Sequence, residues 1–199
     1  MRPDGLVLPN VADVRVALLS DEKRYDDGVA FWDDVYGFDF SSLAAQTKRD
    51  WSSDPPVATV DASCIVSDQE GALVVRVDCA KVPLRDLYRP MAGDVRLVAS
   101  RDCVAHGLCL WFDVDFYGRA FLSTSPSAQK THWYQTVLMF DAPRAMREGD
   151  ALVAQMRDEF ERFYELTGHG ALEPIALFFR CSARRATWLD SSASCCHTE

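Results

Sequence analysis

The sequence predicts a mainly β protein of the α+β class, in which antiparallel strands form a sandwich or a barrel. Apolar and polar residues alternate over residues 11–19, and short strand signals recur between residues 57 and 140. Helical periodicity replaces them after residue 150, which predicts a helix near the C-terminus. Many strands at this close spacing are typical of antiparallel sandwiches and barrels.

Composition and charge limit the classes of function. Of 199 residues, 48% are hydrophobic and 26% are charged, as in a soluble globular domain that can bury a core. The 21 basic and 30 acidic residues give a net charge of -9, which argues against a general nucleic-acid binder and favours cationic partners. No apolar run approaches the roughly 18 residues of a membrane span, so we expect no membrane partner and a cytoplasmic or nuclear location.

The seven cysteines predict reduced thiols rather than a disulfide framework. Their number is odd, they include no C-x-x-C pair, and such cysteines usually act as small core residues. The sequence Cys-Cys-His at residues 195–197 lacks a fourth ligand, so we predict no metal site.

The first elements are a strand and an acidic, aromatic segment. The alternation over residues 11–19 predicts a half-buried strand. The spacing of Phe31, Trp32, Val35 and Tyr36 then predicts that these side chains share one helical face. Ser41-Ser42 is a candidate N-cap for a short helix that runs to Gln46.

Strand signals dominate the middle of the chain. Turn residues such as Tyr117-Gly118 separate them, which favours hairpin connections. The predicted strands cover residues 57–66, 72–79, 95–99, 103–116, 119–123 and 133–140.

The C-terminal part predicts an amphipathic helix over residues 151–168. Apolar side chains such as Leu152 and Met156 fall on one face of this helix, and charged side chains fall on the other. The helix either packs on the sheet or offers a partner-binding surface. Closing strands are predicted at residues 173–181 and 186–189, before a flexible tail over residues 191–199.

One histidine is a candidate for function from its setting. His132 lies at the end of a long polar loop and is followed by an indole and an apolar strand. His106 lies within a predicted strand, where a local hydrogen bond is the simplest role, and His169 lies in a loop. Gly168-His169-Gly170 fits a turn or a helix C-cap better than a nucleotide-binding loop.

Three segments resemble one family. Phe-Leu-Ser-Thr-Ser-Pro at residues 121–126 and Thr-His-Trp-Tyr-Gln-Thr-Val at residues 131–137 closely resemble the T-H-W loop of protein arginine methyltransferases. Residues 3–9 resemble the segment leading into that family's barrel, and residues 31–39 resemble its dimerisation arm. Because the motifs follow the family's order, the chain is identified as a member.

The resemblance implies a domain organisation. Family members combine a Rossmann-like domain that binds S-adenosylmethionine with a β-barrel-like substrate domain and an inserted helical arm. By resemblance, residues 1–9 are a remnant of the linker, residues 10–190 are the barrel-like domain, and the arm occupies residues 23–54. The resemblance also implies that the Rossmann domain, the S-adenosylmethionine site and the pair of catalytic glutamates lie upstream, so we expect no cofactor in this chain.

The resemblance also implies roles for residues. His132 organises the arginine pocket with support from Thr131 and Trp133, and Arg-rich proteins are the substrates. The arm engages a complete arginine methyltransferase subunit and comprises Phe31, Trp32, Val35, Tyr36 and Phe38.

Three functions follow as hypotheses. The first is the substrate-binding and dimerisation portion of an S-adenosylmethionine-dependent arginine methyltransferase, not catalytic alone. A guanidinium has a pKa above about 12 and is therefore protonated at neutral pH. Methyl transfer to it requires carboxylates that bind the cation and a methyl donor aimed at one nitrogen. The second is a non-catalytic regulatory partner of an active methyltransferase, and the third is an autonomous binder of Arg-rich peptides.

Overall fold

The computed structural model describes residues 5–83, 86, 92–158 and 181–189. Antiparallel strands make up most of the regular secondary structure in this part of the chain, and the helices are few and short. The strands are β1 (Val11–Leu19), β2 (Val57–Ala58), β3 (Ala72–Asp78), β4 (Ala92–Val98), β5 (Cys103–Asp115), β6 (Phe121–Ser123), β7 (Gln135–Met146), β8 (Ala151–Asp158) and β9 (Cys181–Leu189).

The strands form two sheets. The larger has six strands in the order β2-β7-β5-β1-β3, with β6 paired to β5, and the smaller has the order β4-β8-β9. Every pairing between these strands is antiparallel. The prediction of a mainly β, antiparallel fold is therefore confirmed.

A hydrophobic core fills the space between the two sheets. Side chains alternate between the two faces of a strand, so Val16 and Leu18 of β1 point to the same face of the larger sheet. Both are fully buried and belong to one cluster with residues of β5, β7, β4 and β8. The members from these strands include Leu108, Leu110, Leu138, Val95, Leu97, Leu152 and Ala154.

A second core lies on the opposite face of the larger sheet, beneath two helices. Ala17 and Leu19 point to this face and are as fully buried as their neighbours Val16 and Leu18. The second half of β1 is therefore buried on both faces, whereas the sequence predicted a half-buried strand. The other buried members of this cluster are Tyr25, Val60, Ile65, Cys109, Trp111, Val137 and Met139.

The helices form one segment between β1 and β2. Helix α1 (Glu22–Gly28) begins at Asp21, whose side chain accepts a hydrogen bond from the Arg24 amide at 3.0 Å. A 3-10 helix (Ala30–Asp33) and helix α2 (Ser41–Ser53) follow. A Cβ atom on Gly28 would lie 2.1 Å from the Trp51 ring, so the close approach of α1 and α2 requires glycine there. Among the described residues, no helix has the length and apolarity needed to cross a bilayer.

The prediction of one helical face for Phe31, Trp32, Val35 and Tyr36 is wrong. The 3-10 helix ends at Asp33, and a tight turn follows in which Tyr36 and Gly37 have φ angles of 55° and 85°. The Asp34 carboxylate accepts a hydrogen bond from the Gly37 amide at 2.7 Å, and Val35 pairs with Phe38. Aspartate followed by a left-handed glycine favours a turn over a further helical turn.

Two other element boundaries differ from the prediction. Helix α2 continues to Ser53 instead of ending at Gln46. The strand predicted over residues 57–66 is limited to β2, because Asp61 accepts a hydrogen bond from the Ser63 amide and caps a short 3-10 helix (Ala62–Cys64). After Ala58, local side-chain hydrogen bonds therefore take the place of the backbone hydrogen bonds of a β-ladder.

The predicted C-terminal helix over residues 151–168 is wrong for its first part. Residues 151–158 form β8, the central strand of the smaller sheet, which pairs with both β4 and β9. Leu152 and Ala154 are both buried in the core between the sheets, and this spacing of two fits a strand as well as a helix. Residues 159–168, the predicted strand over 173–180 and the predicted tail over 191–199 lie outside the described residues.

Cys109 gives a testable prediction about the second core. Burial raises the pKa of its thiol from 9.0 to about 12. Below pH 9 both the folded and the unfolded chain keep the thiol protonated, and above pH 9 only the unfolded chain ionises. We therefore expect Cys109 to lower the free energy of unfolding by about 1.4 kcal/mol per pH unit from about pH 9 towards pH 12.

Urea unfolding between about pH 8 and pH 11 measures this slope. The variant Cys109→Ala removes the contribution, whereas the control Cys79→Ala, at a half-buried thiol, should keep most of it. Equal pH slopes for the original chain and Cys109→Ala would contradict the prediction.

Candidate functional site

The loop that contains His132 connects β6 to β7 and is fixed at its first residue. Thr124 is buried, and its hydroxyl accepts a hydrogen bond from the Phe112 amide at 3.1 Å and donates one to the Phe112 carbonyl at 3.0 Å. The Thr124 amide donates to the same carbonyl at 3.0 Å. These three bonds attach the start of the loop to β5.

The other end of the loop is fixed by Gln135, the first residue of β7. Its buried side chain donates a hydrogen bond to the Thr124 carbonyl at 2.7 Å and accepts one from the Val60 amide at 2.9 Å. One amide side chain therefore joins both ends of the loop to the segment after β2. The sequence analysis did not predict these anchoring roles of Thr124 and Gln135. The only signal in the sequence is that both residues flank a polar loop.

Thr131, His132 and Trp133 lie near the end of the loop, just before β7. The Thr131 hydroxyl accepts a hydrogen bond from the Trp133 amide at 3.1 Å and donates one to the Trp133 carbonyl at 3.0 Å. The imidazole of His132 lies 4.5 Å from the Trp133 ring, which in turn contacts Phe112 edge-on at 5.9 Å. The exposed imidazole is thus held on an aromatic support anchored to β5.

A pocket of about 70 Å³ lies beneath this loop. Hydroxyl, amide and aromatic groups line it, together with one lysine, and the lining includes no carboxylate. The residues that line it are Thr59, Val60, Thr124, Ser125, Pro126, Ala128, Gln129, Lys130, Thr131, Trp133, Tyr134 and Gln135.

The size and chemistry of this pocket limit what it binds. Sites for cofactor-sized molecules usually measure about 300–1,000 Å³, so the pocket does not fit S-adenosylmethionine. Within the described part of the chain, no cluster of three or more histidine, cysteine or acidic side chains is arranged to hold a metal ion.

Asp61 is an acidic group that interacts electrostatically with Lys130 of this loop. The Ser63 hydroxyl and amide donate hydrogen bonds that hold the pKa of its carboxyl below the usual value, and the charge of Lys130 acts in the same direction. Asp61 is therefore committed to the 3-10 helix that follows β2.

The predicted arm residues occupy the helical segment and are mostly exposed. Tyr36 is 98% exposed at the tip of the left-handed turn, and Phe38 is 67% exposed beside it. Phe31 is also exposed, whereas Trp32 is partly buried and donates its indole N–H to the Thr47 hydroxyl at 3.0 Å. Three of the five predicted arm residues, Phe31, Tyr36 and Phe38, are therefore exposed.

The structure adds a charged cluster that sequence reasoning missed. Asp13 of β1 lies directly opposite Asp113 of β5 and Arg76 of β3. Arg76 donates two hydrogen bonds to Asp13, at 2.7 and 2.6 Å. Arg15 places Nε 2.7 Å from Asp113 and its terminal nitrogen 3.7 Å from Asp13. The available signal was the spacing of two between Asp13 and Arg15, which puts them on one face of a strand.

Comparisons with known proteins agree with the fold and the loop. The family model for the arginine methyltransferase oligomerization subdomain matches residues 10–163. The chain belongs to the protein arginine methyltransferase family. The match includes the helical segment, the loop with His132 and the core strands of the larger sheet.

Individual methyltransferases show the same relationship. The chain is 37% identical over 155 residues to probable protein arginine N-methyltransferase 1.2 of Arabidopsis thaliana, covering 76% of this chain and 40% of that protein. It is 31% identical over 153 residues to protein arginine N-methyltransferase 1 of Schizosaccharomyces pombe, covering 75% and 43%. The chain therefore spans less than half the length of these two curated relatives.

A solved structure gives the corresponding match in three dimensions. The Trypanosoma brucei PRMT1 enzyme–prozyme heterotetrameric complex with AdoHcy contains a chain that aligns with a TM-score of 0.66 and 30% sequence identity. The alignment covers 75% of this arginine methyltransferase chain and 46% of the trypanosomal chain.

Proposed function

We propose that this chain is the substrate-binding and dimerisation portion of an S-adenosylmethionine-dependent protein arginine N-methyltransferase and does not transfer methyl groups alone. The observation that carries the proposal is the match of residues 10–163 to the oligomerization subdomain of the family. A cofactor domain, in a longer chain or in a second subunit, would supply the methyl donor and the carboxylates that grip the guanidinium.

In this proposal His132 is a positioning residue of the arginine pocket. The hydrogen bonds of Thr131 and the ring of Trp133 hold the end of the loop in one conformation, so the imidazole is oriented before a partner docks. Its imidazole N–H would donate one hydrogen bond to a carboxylate of the cofactor domain and close one side of the substrate pocket. Preorganisation of this kind reduces the entropy that binding must overcome.

The helical segment would dock on a complete methyltransferase subunit. Five of its apolar side chains are exposed, and covering them stabilises a complex by several kcal/mol at about 25 cal/mol per Å². They are Phe31, Tyr36, Phe38, Phe40 and Leu43.

Reconstitution tests the proposal. The purified chain is incubated with radiolabelled S-adenosylmethionine and a Gly/Arg-rich peptide, alone and with a complete family member such as the Schizosaccharomyces pombe relative. We expect no methyl transfer by the chain alone and a mixed complex with the complete enzyme on size-exclusion chromatography. Phe38→Asp should weaken the mixed complex at least about tenfold, because a charge then enters an apolar interface.

The control for the arm is Val104→Asp, which introduces the same charge at an exposed apolar residue outside the helical segment. It should leave the mixed complex intact. Methyl transfer by the chain alone would overturn the proposal that it is not catalytic by itself, and equal losses for Phe38→Asp and Val104→Asp would overturn the role of the arm.

A second candidate function is a non-catalytic regulatory partner. The alignment with a chain of the trypanosomal enzyme–prozyme complex favours it, because that assembly contains a subunit named a prozyme. The same reconstitution separates the candidates. A regulatory partner changes the methylation rate of the complete enzyme when added, whereas a substrate-binding portion changes which peptides are methylated.

A further inference from the structure

The charged cluster on the larger sheet opens into a cleft that the proposed function does not use. Its volume is about 280 Å³, and we call it the carboxylate cleft. It lies on the face where β3, β1, β5 and β6 are neighbours. The residues that line it are Val11, Asp13, Arg76, Asp113, Asp115 and Phe121.

The charges around the carboxylate cleft do not balance. Asp13, Asp113 and Asp115 contribute three negative charges, and Arg15 and Arg76 contribute two positive charges, which leaves one negative charge in excess. Burial in a partly desolvated site strengthens the attraction of this excess for a cation.

Asp113 supplies an unused acceptor in this cleft. The residue is only 6% exposed, and its Oδ1 atom is buried without a hydrogen-bond partner. Arg15 approaches the other oxygen to 2.7 Å, but its Nε–H is not directed along that contact, so the pair is electrostatic rather than hydrogen-bonded. A buried carboxylate oxygen without a donor is costly, and a ligand that donates to it relieves that cost.

Arg76 shows which chemistry fits the carboxylate cleft. Its guanidinium forms a two-pronged pair with Asp13, yet its side chain is 61% exposed and reaches the carboxylate from the solvent side. A planar guanidinium matches a carboxylate in this way, whereas an ammonium makes single-point contacts. The ring of Phe121, 66% exposed at the edge, adds a surface on which a guanidinium stacks.

We propose that the carboxylate cleft binds the guanidinium of an arginine side chain from a protein ligand, and that Arg76 occupies this site within the chain until the ligand displaces it. The incoming guanidinium replaces Arg76 at the Asp13 carboxylate and also donates a hydrogen bond to Asp113. The Arg76 side chain then moves into solvent. The inference deepens the proposed function, since an Arg-rich ligand is common to both, but it concerns a site separate from the His132 loop.

Titration with a Gly/Arg-rich peptide tests the proposal on the full chain. Calorimetry at physiological salt measures affinity, and the Nε–H resonance of Arg76 reports by NMR whether its pair with Asp13 opens. We expect this resonance to move to a solvent-exposed position and the twin peptide with every arginine replaced by lysine to bind more weakly. Arg76→Met should raise affinity up to about tenfold, because an internal competitor that holds the site most of the time is removed.

The matched control is Arg96→Met, which makes the same charge change at an exposed arginine of β4 in the smaller sheet. It should alter affinity by less than about twofold, since a distant surface charge is screened by salt. Asp113→Asn should lower affinity several-fold. If that variant does not fold, Asp115→Asn tests the same cleft with a more exposed carboxylate.

Three outcomes would overturn the proposal: an unmoved Arg76 resonance at saturation, equal affinity for the arginine and lysine peptides, or equal effects of Arg76→Met and Arg96→Met. This experiment measures peptide binding, so its failure would not contradict the proposed function, which is tested by methyl transfer and complex formation. If the reconstitution failed instead, peptide binding to the carboxylate cleft could still be measured.

Discussion

Replacing Arg15 with methionine lowers the free energy of unfolding by about 3–5 kcal/mol, as expected when one partner is removed from a buried ion cluster. Asp13 and Asp113 are both buried and face each other directly across β1 and β5, an arrangement that repels unless a cation lies between them. Arg15 is that cation, and it also donates hydrogen bonds to the Glu70 and Gly71 carbonyls. Urea unfolding followed by circular dichroism measures the loss.

Two controls make this result specific. Lys23→Met breaks an ion pair with Asp27 that is exposed on α1, so its unfolding midpoint should not change. The double variant Arg15→Met with Asp113→Asn removes the repulsion and should recover at least about 1 kcal/mol of the loss. A loss below about 1 kcal/mol for Arg15→Met alone would contradict the role assigned to Arg15.

Gln135→Leu is expected to lower the free energy of unfolding by about 2–4 kcal/mol. The substitution leaves two buried groups without partners, the Val60 amide and the Thr124 carbonyl, and each such group costs about 1–3 kcal/mol. The loop with His132 also loses the side chain that joins its two ends. Hydrogen exchange should therefore show faster exchange of the Thr124 amide, in addition to the lower unfolding midpoint.

The control is Gln129→Leu, at an exposed glutamine of the same loop. It should change neither the unfolding midpoint nor the exchange of the Thr124 amide, because no buried partner loses a hydrogen bond. If both glutamine variants behave alike, the loop is held by its backbone and not by Gln135.

Much of the sheet could be predicted from the sequence because its strands carry a strong local signal. The alternations over residues 11–19 and 103–116 predicted the positions of the two central strands, β1 and β5. Residues 151–158 misled the prediction, since Leu152, Val153 and Met156 fit a helical face as well as a strand. Pairing with β4 and β9 decided the outcome, and such long-range contacts have no local signature.

The candidate sites divide in the same way. Thr131, His132 and Trp133 were predicted from one contiguous motif that resembles the family's T-H-W loop. The cluster around Asp13 could not be predicted, because Arg76 and Asp113 join it only through strand register. A tight turn likewise replaced the helix expected around Tyr36, because the Asp34 side chain and the left-handed Gly37 favour a reversal.

The burial of the second half of β1 on both faces has a consequence for folding during synthesis. Leu19 pairs with Gly107 and Val11 with Asp115, so β1 is synthesised well before β5, its partner strand. At a synthesis rate of about 5–20 residues per second, β5 follows β1 by several seconds. During this time both apolar faces of the second half of β1 are exposed to solvent. Exposed apolar surface and unpaired strand edges of this kind make a nascent chain prone to aggregation until its partner strands are synthesised.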